Sequence, residues 1–263
     1  MAKCSLADRS CLQNSGGDSA DNEHWISRKP VCSRVMSITY AIADLHGRRD
    51  LLDSALERID KHAAGRPATV VAMGDYVDRG PASRQVIERL IDFRSDTLTL
   101  VALKGNHEVM MWESCNNLAD LNWWIENGGG TTLASYRELS DTADISTSVV
   151  PKSHLRWIAG LPLMHVDGER VYVHAAVDAS ISLKQQAERT LLWRRYPEGY
   201  DKGHGRRHVV HGHHGDPQAP VVTRGKTNLD SLAWKTGRLV VGVFNDDQPG
   251  PALDYLEIRG QPL

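Results

Sequence analysis

From Val35 onward, short apolar runs alternate with amphipathic stretches, the rhythm of a layered α/β domain. Residues 36–43, Met-Ser-Ile-Thr-Tyr-Ala-Ile-Ala, read as a buried strand. Residues 49–62 place Leu51, Leu52, Ala55, Leu56 and Ile59 at helical spacing. The unit repeats, with a strand at 69–73, a helix at 83–93 and a third strand at 98–103. A helix is predicted over 118–127, stopped by Gly128-Gly129-Gly130. After Pro151 the pattern predicts a short helix, strands at 163–166 and 170–173, a helix at 183–193 and a strand-rich tail from 209 to 258. The second half is thus expected to supply a second sheet.

Residues 1–34 break this rhythm. They are polar and small, show neither period, and are expected to form a flexible extension ahead of a catalytic domain at 35–263. With 263 residues, 41% hydrophobic and 24% charged, the chain has the composition of one large globular domain with a substantial core. Its net charge of -2 gives no broad attraction for nucleic acid or anionic lipid, so any anion site must be local. No apolar run is long enough to span a membrane as a helix, and the first residues hold no apolar segment of the kind a signal peptide needs. Cys4, Cys11, Cys32 and Cys115 have no CxxC spacing, which fits a reducing cytoplasm; a zinc knot near His24 is the less favoured reading of the first three.

Three polar, glycine-containing segments follow directly on the first three strands: Asp44-Leu45-His46-Gly47, Gly74-Asp75-Tyr76-Val77-Asp78-Arg79-Gly80 and Gly105-Asn106-His107-Glu108. The carboxyl ends of strands form the ligand crevice in open α/β sheets, so these loops should converge on one site. They would gather carboxylate, imidazole and amide donors suited to Mn, Fe or Zn. His174 follows Val171-Tyr172-Val173, and His213 follows Val209-Val210-His211-Gly212. Taken singly, each segment has an ordinary explanation: D-x-H-G as a turn and cap, a lone histidine as a satisfied core group. Two carboxylates, an arginine and two glycines in 74–80 have no such explanation.

In order and spacing these segments resemble the five motifs of the phosphoprotein phosphatases among the calcineurin-like metallophosphoesterases, and the compact bacterial members most of all. The likeness covers roughly residues 38–258, including Ser182 to Arg195 and Thr227 to Ala233. It implies an α/β fold of two packed mixed β-sheets flanked by helices, an αββα sandwich. It also implies a dimetal centre, most naturally Mn with Fe or Zn as alternatives, with Asp44 and His46 on the first ion, Asp75 bridging, and Asn106, His174 and His213 on the second. The physical logic agrees, because a carboxylate has two oxygens and an imidazole binds one ion. Arg79 is the expected phosphate clamp; Arg195, which fits the Trp-x-Arg pattern from Trp193, is the second, although Arg194 stands beside it. His107 resembles the general acid and Asp78 its partner, against the plain alternative of an ordinary His–Asp pair.

Ala43 and Ala176 stand where the family often has glycine, and tolerance is expected; His214 stands where threonine or glutamine is common, and its readings are an outer group behind the ligands, a spare ligand or, favoured over the spare ligand, a solvated side chain. Gly215 occupies the position at which nuclease and diesterase relatives carry another histidine, which leans the chemistry towards monoesters. His204, His208 and His211 are read as having no catalytic duty. The expected activity is hydrolysis of phosphoserine or phosphothreonine, with phosphotyrosine as a further substrate, in a protein or peptide by a chain that is monomeric or weakly oligomeric. Symmetrical dinucleoside tetraphosphate hydrolysis is the alternative, with Trp112, Trp123 and Trp124 as base-stacking candidates set against plain packing. A non-catalytic binding protein on the same fold is the third reading.

Overall fold

The computed structural model describes residues 37–137 and 146–263. The extension expected at 1–34, with its three cysteines, lies outside the described residues. In chain order the elements are β1 (Ile38–Ile42), α1 (Arg49–Ala63), β2 (Ala68–Ala72), α2 (Ser83–Ile91), β3 (Leu98–Ala102), α3 (Asn106–Cys115), α4 (Leu121–Trp124), α5 (Gly130–Arg137) and α6 (Lys152–Ala159). There follow β4 (Met164–Val166), β5 (Arg170–Val173), α7 (Glu188–Trp193), β6 (His208–His211), β7 (Val221–Val222), β8 (Lys226–Asn228), α8 (Ala233–Thr236), β9 (Arg238–Asn245) and β10 (Asp254–Arg259).

Two five-stranded mixed sheets form, ordered β10-β9-β1-β2-β3 and β4-β5-β6-β8-β7. The period of two along each strand sorts the side chains between layers. Tyr40, Ile42, Val70 and Ala72 join a core with Leu52, Ile59, Val86 and Ile87 of the helices. Their neighbours Ala41, Val71 and Met73 instead meet Tyr172, Val210 and Leu229 between the sheets. On the far side of the second sheet, Val171, Val173 and Val209 pack against Leu191 of α7. The result is the expected sandwich of two sheets between helical layers. Burying side chains such as Leu52 and Ile59 contributes roughly 1.5–3 kcal/mol each.

Two expectations change. The tail does not belong wholly to the second sheet: β9 runs antiparallel beside β1, with Tyr40 opposite Val243, and β10 completes that edge. A strand's own periodicity carries no record of its partner, so this pairing is a tertiary choice. Nor do the three glycines end the helical region. Gly128 has a left-handed φ of 108°, and a Cβ there would sit 2.9 Å from both the backbone N and Cγ of Arg79. The chain kinks there to pass close to Arg79, whose N–H donates to Gly128 O at 3.2 Å, and then continues as α5. The third motif, expected to form only a loop, instead opens helix α3 with Asn106.

Register positions the site. β1, β2 and β3 are parallel, with Ile42, Ala72 and Ala102 abreast, so the three motif loops leave the sheet side by side. β5 and β6 are also parallel, with Val173 beside His211, and Gly212 N–H donates to His174 O at 2.9 Å. All five segments therefore emerge at carboxyl ends of strands.

Candidate dimetal site

Backbone strain concentrates where the loops meet. Among the described residues nine non-glycine positions have positive φ, and six of them are Asp44, His46, Asp75, Asp78, Arg79 and His213. Such conformations persist only when the surroundings hold them. One of those holds is Glu108, fully buried, whose Oε2 accepts from the N–H groups of Asp75 and Gly105 and whose Oε1 accepts from Tyr76, all at 2.8 Å. Burial and the charge of Asp75 push Glu108 up to about 7. Gly212 is required for space, because a Cβ there would overlap Asp44 Oδ2.

At the centre is Asp75. Its Oδ2 lies 3.4 Å from His46 Nε2 and 3.8 Å from His107 Nε2, and its Oδ1 lies 3.4 Å from His174 Nε2. His174 Nε2 is in turn 2.8 Å from Asn106 Oδ1 and 3.2 Å from His213 Nδ1. Two clusters thus share one carboxylate: His46, Asp75 and His107, and Asp75, His174 and His213. Burial drives His46 well below its ordinary value and lowers His174, and burial with His174 beside it pushes His213 down to about 3. Burial alone would raise Asp75, but the imidazoles of His174, His107 and His46 bring it below the ordinary carboxylate range.

These groups fit a pair of divalent cations. His46 Nδ1 lies 2.8 Å from Val77 O and His174 Nδ1 lies 2.9 Å from Met73 O; donation there leaves each Nε2 lone pair facing Asp75, the outer-shell arrangement of metal-ligating histidines. Negative charge is also crowded: Asp44 is raised well above its ordinary value by burial, Asp230 and Asp75, and Asp230 is pushed up to about 6, mainly by burial. Three buried carboxylates this close call for cationic compensation beyond Arg79. The donors are oxygen and imidazole nitrogen, without thiolate.

The predicted residues do not all stand as the motifs suggested. Asp44 belongs to neither cluster; its carboxylate accepts from the backbone N–H of His213 at 3.1 Å, while His107 completes the first cluster. The Arg79 guanidinium reaches between the imidazoles, 2.7 Å from His46 Nε2 and 3.1 Å from His107 Nε2, with Trp234 beneath it at 5.5 Å. Arg194 pairs with Asp178 at 3.0 Å. Arg195 is exposed and stands near enough to His213, His214 and Asp230 for its charge to bear on their protonation.

His107 Nδ1 is 2.6 Å from Asp78 Oδ2, and Asp78 also accepts from Trp124 Nε1 and Thr132 Oγ1. Burial alone would lower His107, but Asp75 and Asp78 raise it above its ordinary value. A Cβ at Gly215 would sit 2.3 Å from Leu232 Cδ2, so a histidine there would require the Leu232 side chain to move. His214 packs edge-on against His211.

Sequence reasoning missed the parts played by Asp230, Glu108, Trp124 and Trp234. Glu108 lies within a motif already singled out, and Asp230 shortly follows a strand, which was the available signal. Trp124 is buried, as the packing reading expects, and its Nε1–H also donates to Asp78, which packing alone does not indicate.

A double cluster of imidazoles around one carboxylate, set on strand ends of a two-sheet sandwich, is an arrangement that could hold the ions of a metal-dependent hydrolase. Residues 39–244 match the calcineurin-like phosphoesterase family, and the chain belongs to it. It is 29% identical over 153 residues to the symmetrical bis(5'-nucleosyl)-tetraphosphatase of Stutzerimonas stutzeri, covering 57% of this chain and 48% of that protein. It is 31% identical over 90 residues to serine/threonine-protein phosphatase 2 of Escherichia coli, covering 34% and 38%. The chain spans about half the length of the curated relatives it matches. Among solved structures, a cold-active protein-tyrosine phosphatase of a Shewanella species shares the fold at 14% identity and TM-score 0.57, covering 85% of this chain and 81% of that one. A protein serine/threonine phosphatase of Saccharomyces cerevisiae does so at 16% identity and TM-score 0.53, covering 88% and 82%. No helix among the described residues is long and apolar enough to cross a membrane.

Proposed function

We propose that this chain is a dimetal phosphohydrolase whose substrate is a dinucleoside tetraphosphate, cleaved symmetrically into two nucleoside diphosphates. The observation that carries the dimetal chemistry is Asp75, with one oxygen turned to His46 and the other to His174. Asp75, His46, Asn106, His174 and His213 would hold the ions, and Asp44 would join them by turning from the His213 amide. A bound pair of divalent ions supplies Lewis acidity and an activated water for in-line attack on phosphorus. Arg79, freed from the imidazoles, pairs with the equatorial phosphate oxygens, and Arg195 approaches from the opposite segment. Cleavage of the central anhydride breaks the bond from phosphorus to the bridging oxygen and expels a nucleoside diphosphate, which needs little help from a proton donor.

The substrate class is supported by the run of symmetrical tetraphosphatases among the curated relatives, including those of Stutzerimonas stutzeri and Pseudomonas fluorescens. The phosphoprotein reading is second, favoured by one specific feature: His107 held by Asp78 is a proton donor suited to an alkoxide leaving group. The test is kcat/KM with Mn on diadenosine tetraphosphate, a phosphoserine peptide and an aryl phosphate, with products resolved by chromatography. We expect the dinucleotide to lead by at least about tenfold, a difference of 1.4 kcal/mol in transition-state binding, with ADP as the sole product. A lead for the peptide would transfer the assignment to the second reading.

A further inference from the structure

Helix α3 carries the catalytic loop outward along one stripe. Asn106 sits at its first turn, and Val109 and Glu113 follow at i+3 and i+7, the spacing that stacks side chains on a common face. Beside that stripe runs a cleft of about 510 Å³ lined by Val109, Glu113, Trp123, Glu188, Leu192 and Trp193. A second hollow of about 310 Å³ shares Val109, Glu113 and Glu188 and runs back to Glu108, so the groove begins against the motif loops. At its other wall, Trp193 is two residues from Arg195.

The aromatic wall is set in place by the site itself. Within α4, Trp124 is buried and its Nε1–H donates to Asp78, whereas Trp123 is 40% exposed. Successive helical residues point about 100° apart, so anchoring Trp124 at Asp78 turns Trp123 out over the groove. Trp123 lies face to face with Trp193, with ring centroids 6.1 Å apart and planes 27° apart. Among the described residues the side chains of Glu113 and Glu188 have no hydrogen-bond or ion-pair partner. An open indole face next to unpaired acceptors is the pairing that recognises a nucleobase: the ring stacks and the exocyclic amino group donates to a carboxylate. Glu113 and Glu188 repel phosphate, a repulsion that Arg189 in the same cleft and Lys104 in the adjoining hollow offset in part; Arg79 and Arg195, nearer the metal ligands, are left to take the polyphosphate.

We propose that this groove seats one purine base of the substrate, stacked on Trp123 as a third layer on the Trp123–Trp193 pair, with its amino group facing Glu113. The inference rests on the nucleotide reading above and deepens it. Trp123 fixes which phosphate lies at the metal ligands, because the base is held at a set distance from Asn106 along α3.

The experiment compares wild type, Trp123→Ala and Trp123→Phe, each loaded with Mn, on diadenosine tetraphosphate and an aryl phosphate, and measures competitive inhibition of aryl phosphate hydrolysis by ADP and by inorganic phosphate. The ratio of kcat/KM for the dinucleotide to that for the aryl phosphate should fall about tenfold in Trp123→Ala and recover in Trp123→Phe, within the range that stacking one base supplies. ADP inhibition should weaken by a similar factor while phosphate inhibition does not. If wild type cleaves the dinucleotide and neither ratio moves, the groove is not the base site and the proposed function stands. If wild type does not cleave the dinucleotide, the proposed function fails, and the ADP-to-phosphate comparison decides the groove on its own: a preference for ADP lost in Trp123→Ala upholds it, and no such loss overturns it.

Discussion

His107 and Asp78 form a buried pair in which Nδ1 stands 2.6 Å from Oδ2, and the pairing sets both the direction and the charge of the imidazole. Burial acts to neutralise His107; Asp75 and Asp78 outweigh it and raise its pKa. Removing the Asp78 charge lowers that pKa, so the protonated form is lost at a lower pH. Asp78→Asn should therefore shift the alkaline limb of the pH-rate profile downward and slow phosphoserine peptide hydrolysis by about 10²-fold, with a smaller loss on an anhydride. An unchanged profile with both substrates would remove His107 from the proton-transfer role.

Among the described residues, Asp75 is the one group common to both clusters. Asp75→Asn replaces one acceptor oxygen by an amide donor, which cannot ligate a cation. Elemental analysis should show both ions lost together, with activity at background. Retention of one full equivalent would mean that the two clusters load independently.

Glu108 ties the second and third motif loops through four backbone N–H groups, those of Asp75, Tyr76 and Gly105 at 2.8 Å and that of Val77 at 3.4 Å. In Glu108→Gln the amide nitrogen faces the N–H groups of Asp75 and Gly105 or those of Tyr76 and Val77, leaving at least one buried donor unmet at roughly 1–3 kcal/mol each. Urea unfolding should report a loss of that size. A variant as stable as wild type would show that the loops hold their strained conformations without Glu108.

His208 gives the fold an acid-sensitive group far from the metal ligands, at the first residue of β6. Burial, with Arg170 and Lys226 nearby, lowers it from 6.5 to about 4. The unfolded chain therefore binds a proton that the folded chain refuses. Its stabilising contribution is whole above pH 6.5 and falls away as pH drops towards about 4. His208→Gln should flatten the slope of unfolding free energy between those limits, measured by urea titration at several pH values. An unaltered slope would assign that acid sensitivity to other groups.

Much of the site could be read directly because its chemistry is local. Asp44 to Gly47, Gly74 to Gly80 and Gly105 to Glu108 each follow a strand whose apolar run is plain in the sequence, and parallel strands deliver their carboxyl ends to one edge. Residue type and order therefore singled out each residue of both clusters, and the family resemblance implied Asp75 as the shared group and His107 beside Asp78, but it set Asp44 among the ligands and His107 outside them, whereas the folded clusters hold His107 and not Asp44. What required the tertiary structure was whatever depends on a partner distant in the chain. Whether β9 joined the first sheet or the second, which oxygen of Asp75 faced which histidine, and how Asp44 came to rest on the His213 amide are all outcomes of packing. The same holds for Gly128, where a local rule for ending a helix gave way to the need to pass Arg79, and for Asp230, an unremarked carboxylate until the fold buried it beside two others. Periodicity and propensity act between neighbours along the chain, whereas burial, charge crowding and pairing act through space.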